Sequence, residues 1–175
     1  MKKFELTNEF VTNMFGTKLF RIRALVEFGD VEAGELGGYV EKESNLGHDD
    51  NAWVYDNARV YGNARVYGDA QVSGDARVCG NARVYGDARV CGNGDYAYAH
   101  GFGSVNRTTT FFRLKDGGVG VRCGCFYGTL AQFRDKIRET HGETKKAQEY
   151  LMLADLMELR FEEDENEVGN RKYVE

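Results

Sequence analysis

From Gly38 to Gly103 one apolar residue returns every six positions: Val40, Leu46, Val54, Val60, Val66, Val72, Val78, Val84, Val90, Tyr96 and Phe102. Only the step from Leu46 to Val54 breaks the count. Between these anchors the chain reads V-Y-G-N-A-R, V-Y-G-D-A-Q, V-S-G-D-A-R and V-C-G-N-A-R, the self-similarity of a solenoid. Side chains alternate faces along a strand, so in each R-V-Y triplet Val points inward while Arg and Tyr point out. The Gly-Asp or Gly-Asn pair that follows turns a corner, because these residues tolerate positive φ, and Ala fills the corner. Three such sides close a coil, so residues eighteen apart lie on neighbouring rungs roughly 4.8 Å apart.

The flanks follow other rules. Lys18 to Phe28 alternates, with Phe20, Ile22, Ala24, Val26 and Phe28 on one side, which predicts one long strand. Residues 1–35 therefore form an N-terminal cap, since a solenoid needs its open end shielded. The solenoid itself spans 36–105. In 106–161, Arg107 to Leu114 and Val119 to Phe126 flank Lys115-Asp116-Gly117-Gly118, the pattern of a hairpin with a glycine turn. Thr129-Leu130-Ala131-Gln132 supplies a capping box for a helix to about Thr140. A second helix, Glu143 to about Phe161, carries Ala147, Tyr150, Leu151, Ala154, Leu156, Met157 and Leu159, a broad apolar face. This module is too small for a large core of its own. It must pack either on the open C-terminal end of the solenoid or on the same module of another subunit. Residues 162–175 form an acidic tail, expected to be mobile.

The repeats resemble those of the hexapeptide-repeat, left-handed parallel β-helix proteins, best known as acyltransferases, over about residues 36–105. The opening L-G-G-Y-V-E-K-E-S-N-L also resembles uncharacterised bacterial and phage members of that class. The fold expected is mainly β: a left-handed parallel β-helix of nearly four coils with an N-terminal strand cap and a C-terminal β-hairpin plus two helices. The resemblance further implies a homotrimer. It offers, as one alternative, CoA-dependent acyl transfer with a His as general base, for which His48 and His100 lie beside or at the end of the stack.

Composition narrows the function classes. Charged residues make up 29% of the chain and Pro is absent, as in a soluble protein. No apolar run is long enough to span a membrane, and the N-terminus lacks a signal-peptide core, so a cytoplasmic location is expected. A net charge of −5 argues against general nucleic-acid binding. Cys79 and Cys91 occupy outward repeat positions and Cys123 and Cys125 lie one alternation apart, which is not zinc spacing. No cofactor or metal is expected. His48 beside Asp49 and Asp50 could serve as a base or a metal corner, and the plainer reading is a solvated loop. Cys123 or Cys125 with His141 could imitate a thiol–imidazole pair, although no spacing places them in contact.

The outside of the stack carries the binding reading. Arg65 and Tyr67 should lie beneath Arg83 and Tyr85 on one face, with Arg59 beneath Arg77 on a second. Like charges stacked on adjacent rungs disfavour folding unless an anion relieves them. Arg and Tyr together suit phosphates, stacked rings and protein interfaces. Arg113 and the Thr108-Thr109-Thr110 run could close that site from a neighbouring subunit. The expected partners are an anionic small molecule such as a nucleotide, or an acidic protein surface, plus copies of the chain itself. The expected function is a non-catalytic oligomeric binding protein; the resemblance to phage members implies a role in inhibiting or sequestering a host nucleotide signal or defence protein. A purely structural assembly protein is a further alternative.

Overall fold

The six-residue return becomes a stack of very short strands. The computed structural model describes residues 1–162. Three strands come first, β1 (Phe4–Thr12), β2 (Lys18–Ala24) and β3 (Leu36–Val40). Seven two-residue strands follow: β4 (Trp53–Val54), β5 (Arg59–Val60), β6 (Arg65–Val66), β7 (Gln71–Val72), β8 (Arg77–Val78), β9 (Arg83–Val84) and β10 (Arg89–Val90). They pair in parallel on three faces, β3-β5-β8, β4-β7-β10, and Leu46 with β6-β9. Partners on adjacent rungs from β4 onward are eighteen residues apart, as in Arg59 with Arg77. Backbone bonds run rung to rung, for example Arg59 N–H to Ala76 O at 2.9 Å, so amides of one rung are satisfied by carbonyls of the next. Every repeat Val from Val54 to Val90 and every corner Ala from Ala52 to Ala88 is fully buried.

Each face holds three rungs, one fewer than the periodicity predicts on the two faces that would continue to Tyr96 and Phe102. Those residues belong to a different sheet. Where the repeat would place Ala-Arg-Val, the chain has Gly94-Asp95-Tyr96, and no Ala fills the corner. Asp95 Oδ2 instead accepts from the amides of Cys91 and Gly92 at 2.9 and 3.1 Å, which tightens a turn and redirects the chain.

At the other end, β1 and β2 form an antiparallel hairpin added to the outer edge of β3. The predicted strand stops at Ala24 rather than Phe28, where a tight Phe28–Val31 bridge begins. The sequence pattern does not mark β1, because a register shift between Leu6 and Phe10 breaks its alternation. Trp53 occupies an outward repeat position yet is fully buried, its indole edge-on to Phe4 and Phe28 at 6.2 and 5.3 Å. Lys3 is buried beside it and donates to the carbonyls of Asp50 and Ala52 at 2.7 and 2.8 Å.

The C-terminal sheet is larger than a hairpin. β11 (Tyr96–Phe102), β12 (Arg107–Arg113), β13 (Val119–Cys123) and β14 (Phe126–Thr129) form an antiparallel sheet in that order. Two helices follow, α1 (Leu130–His141) and α2 (Lys145–Phe161). Thr129 and Gln132 make the reciprocal capping box, with bonds of 3.2 and 2.9 Å. α2 starts two residues later than predicted because Thr144 is its cap. Its buried face is also narrower: Leu156 and Leu159 are 54% and 67% exposed. One face of the sheet packs Phe111 and Val121 against Phe133, Ile137 and Tyr150 of the helices. The opposite face closes the solenoid, with Phe112 in its core. Arg83 N–H donates to Thr110 Oγ1 at 3.0 Å, Lys115 N–H donates to Asp87 O at 2.9 Å, and Leu114 bridges Ala88. The acidic tail beyond Glu162 lies outside the described residues.

Candidate functional site

The face carried by β6 and β9 is the one the C-terminal sheet leans over. Their parallel register stacks Arg65 on Arg83. The rings of Tyr67 and Tyr85 lie 4.6 Å apart, tilted by 43°. The antiparallel register of the terminal sheet aligns Thr110, Arg122 and Tyr127 across three strands, so all three share the side facing the solenoid. Tyr127 meets Tyr85 edge-on at 4.9 Å and stacks on Phe112 at 6.4 Å. The Arg122 guanidinium lies 4.9 Å from the Tyr85 ring centre and 5.9 Å from that of Tyr67, while Arg65 sits 5.9 Å from Tyr67. These are cation–π distances.

A glycine makes this convergence possible. A Cβ on Gly86 would overlap the Tyr127 hydroxyl, and the residue holds φ +63°. The repeat glycine therefore serves both as a turn and as a seat for an incoming ring.

The electrostatics are one-sided. Among the described residues no carboxylate lies within 4.0 Å of Arg65, Arg83 or Arg122. The corner carboxylates are used elsewhere, as where Asp56 accepts the Gly74 amide at 3.0 Å. Arg122 donates weakly to Cys125 O at 3.5 Å, and its buried Nε has no protein partner among the described residues. Three guanidinium groups thus remain open to an external acceptor.

Arg65, Tyr67, Arg83 and Tyr85 come together as predicted, whereas the other candidates do not join them. Arg59 and Arg77 stack on a separate face, where the Arg77 carbonyl accepts from the Tyr96 hydroxyl. Burial, with Cys79 adjacent, holds that phenol well above its usual range. Thr109 points to the helix side, where it is buried and donates to Cys123 Sγ at 3.3 Å, so it cannot touch a ligand on the Arg/Tyr face. Strand alternation hands its expected place to Thr110. Arg113 shares the helix side. It pairs with Asp95 at 3.4 Å and donates to the carbonyls of Gly117 and Phe161, which makes it a latch inside the module.

The histidines find other uses. His48 stacks on Phe4 at 4.3 Å and its Nδ1 accepts the Lys3 amide at 3.2 Å, so the loop is folded against the cap rather than solvated. His141 contacts Ser104 Oγ at 3.2 Å instead of either cysteine. All four cysteines are free. His100 contacts Thr108 Oγ1 at 2.8 Å and lines a groove with Arg83 and Arg107. Arg122 and Tyr127 were missed. The alternation of Val121, Arg122 and Cys123 signals an outward Arg, but only the docked sheet shows what it faces.

Residues 52–68, 58–74, 70–86 and 76–92 match the family model described as the YdcK beta solenoid repeat. The chain is therefore similar to that family across the stretch that bears β4 to β10 and Tyr67 and Tyr85. No curated protein matches the chain. No described helix is long and apolar enough to cross a membrane.

Proposed function

We propose that this chain is a non-catalytic, oligomeric binding protein whose site is the face formed by Arg65, Tyr67, Arg83, Tyr85, Arg122 and Tyr127. The ligand class that fits is an anion bearing a planar ring, a nucleotide in the first place. The observation that carries this reading is the meeting of three tyrosine rings with three arginines that have no carboxylate partner among the described residues. Guanidinium groups recognise phosphate through paired hydrogen bonds, and bases stack on tyrosine rings and on guanidinium planes. An acidic protein surface offers the same charge without the ring.

The finer architecture belongs to the same proposal. The six-residue return of Val and Ala supports a left-handed coil of the hexapeptide-repeat class. The exposed Leu156 and Leu159 of α2 support a closed homo-oligomer, with three-fold symmetry favoured by the resemblance of the repeats. A phage-type inhibitor that sequesters a host nucleotide signal in the cytoplasm, or occupies a defence protein, suits such a scaffold.

Charge reversal tests the reading. In calorimetry with a panel of nucleoside mono- and triphosphates and acetyl-CoA, the wild type should bind at least one nucleotide. Arg65→Glu with Arg83→Glu should abolish that binding while native mass measurement shows the same assembly. Dissociation of the assembly would make the face a subunit contact instead. Turnover of acetyl-CoA that is lost in His100→Ala would replace the binding reading with acyl transfer.

A further inference from the structure

Beside the tyrosine face, where the solenoid meets β11 and β12, lies a groove of about 490 Å³. Arg83 and Arg107 both line it, together with His100, Thr108, Asn63 and Asn81, and no carboxylate does. We infer that this groove is a seat for a phosphate-type oxyanion, either free or as a phosphate monoester.

The donors are arranged by the fold itself. Thr108 Oγ1 holds His100 Nδ1 at 2.8 Å, leaving Nε2 without a protein partner among the described residues. Asn63 Nδ2 reaches Asn81 Oδ1 at 3.4 Å, a ladder across two rungs that leaves the Asn81 amide nitrogen for another acceptor. Arg107 is the decisive group. Its Nε is buried without a protein partner among the described residues, and it forms no ion pair there. A buried N–H with no acceptor carries a cost that an arriving oxyanion relieves, here on a side chain that is itself half-buried.

Arg107 is also deliberately accommodated. A Cβ on Gly124 would overlap its guanidinium, and Gly124 holds φ +59°, so the side chain lies across bare backbone. The turn that delivers Arg107 is strained: Val105 and Asn106 hold φ of +49° and +46°, and a β-branched residue in that region is an outlier. Strain of this kind gathers where a side chain must be aimed. The seat shares only Arg83 with the tyrosine platform and does not depend on that platform binding a ring.

Calorimetry with inorganic phosphate at low ionic strength tests it. The wild type should show one saturable site per chain. Arg107→Gln should weaken it at least about tenfold, as loss of a charge-assisted pair does. Gly124→Ala, which evicts the guanidinium, should do the same. Arg59→Gln, on another face, and Tyr67→Ala with Tyr85→Ala should leave phosphate binding within about twofold, which separates this seat from the platform. In the Tyr67→Ala with Tyr85→Ala protein, where the platform is removed, AMP binding tighter than phosphate, with adenosine silent, assigns a monoester; equal affinity assigns the free anion. Should Arg107→Gln lose its native circular dichroism, His100→Ala, at an exposed ring, carries the test and should weaken binding about threefold or more. No saturable phosphate binding by the wild type, or unchanged affinity in both Arg107→Gln and His100→Ala, overturns the inference.

Discussion

The solenoid and the terminal module bury their cores in opposite ways. Inside the stack only Val and Ala repeat, each rung copying the last, so a given side chain touches only its rung and the two neighbours. The module packs Phe111, Phe133 and Tyr150, each in a unique position, with edge-on ring pairs at 5.7 and 6.1 Å. The two grammars meet at aromatic plugs, Phe112 at one end and Trp53 with Phe4 at the other. A repeat cannot end itself. Its last rung needs a residue that the repeat does not contain, and the proposed binding face lies where that foreign element arrives.

The largest effect should come from breaking the plug. Phe112→Ala should destabilise the fold by about 3–5 kcal/mol in chemical denaturation. Val72→Ala, in the middle of the stack, should cost about 2 kcal/mol. Equal losses would mean the end of the stack is no more specialised than its centre.

The N-terminal plug can be probed through Lys3. Burial lowers the pKa of its ammonium from the ordinary 10.5, against the opposing pull of Asp50. Between the lowered folded value and 10.5 the unfolded chain binds more protons than the folded one, so stability should rise with pH through that window. Lys3→Met should abolish this rise and destabilise the fold by about 2 kcal/mol at neutral pH, because two carbonyls lose their donor. Denaturation midpoints from pH 7 to 10.5 check both.

Glycines sharpen the comparison at lower cost. Gly86→Ala forces a side chain into positive φ and into the Tyr127 hydroxyl, so it should cost about 1–3 kcal/mol. Gly92→Ala meets no atom within 4 Å on an extended backbone and should change stability by less than about 0.5 kcal/mol. Thermal unfolding of the two variants distinguishes seat from spacer. Arg65→Gln, a change of opposite sign, should stabilise the ligand-free protein by about 0.2–1 kcal/mol by removing one charge from the ladder.

The same contrast explains what could be read in advance. Position in a repeat fixes direction, so the inward Val column, the Ala corners and the pairs Arg65–Arg83 and Tyr67–Tyr85 were legible from spacing alone. The capping box at Thr129 was legible because its bonds are local. The return of β11 as an antiparallel strand was not, since Tyr96 and Phe102 keep the six-residue count while Gly94 and Asp95 have already left it. Burial of Trp53 depends on a hairpin whose alternation is broken by a bulge. Thr109 and Arg113 were misplaced because strand alternation sets two sides, and only docking decides which side meets the solenoid. Arg122 and Tyr127 reach the site through long-range register, which no local pattern encodes.

In the proposed function, solenoid and module build one binding face together. Calorimetric titration of the nucleotide panel into Arg122→Gln tests it directly, because Arg122 belongs to the module while the rings it covers belong to the stack. The prediction is a nucleotide affinity at least about tenfold below wild type, with native circular dichroism retained. Affinity equal to wild type in a folded Arg122→Gln protein would show that the module takes no part in binding and would contradict the account.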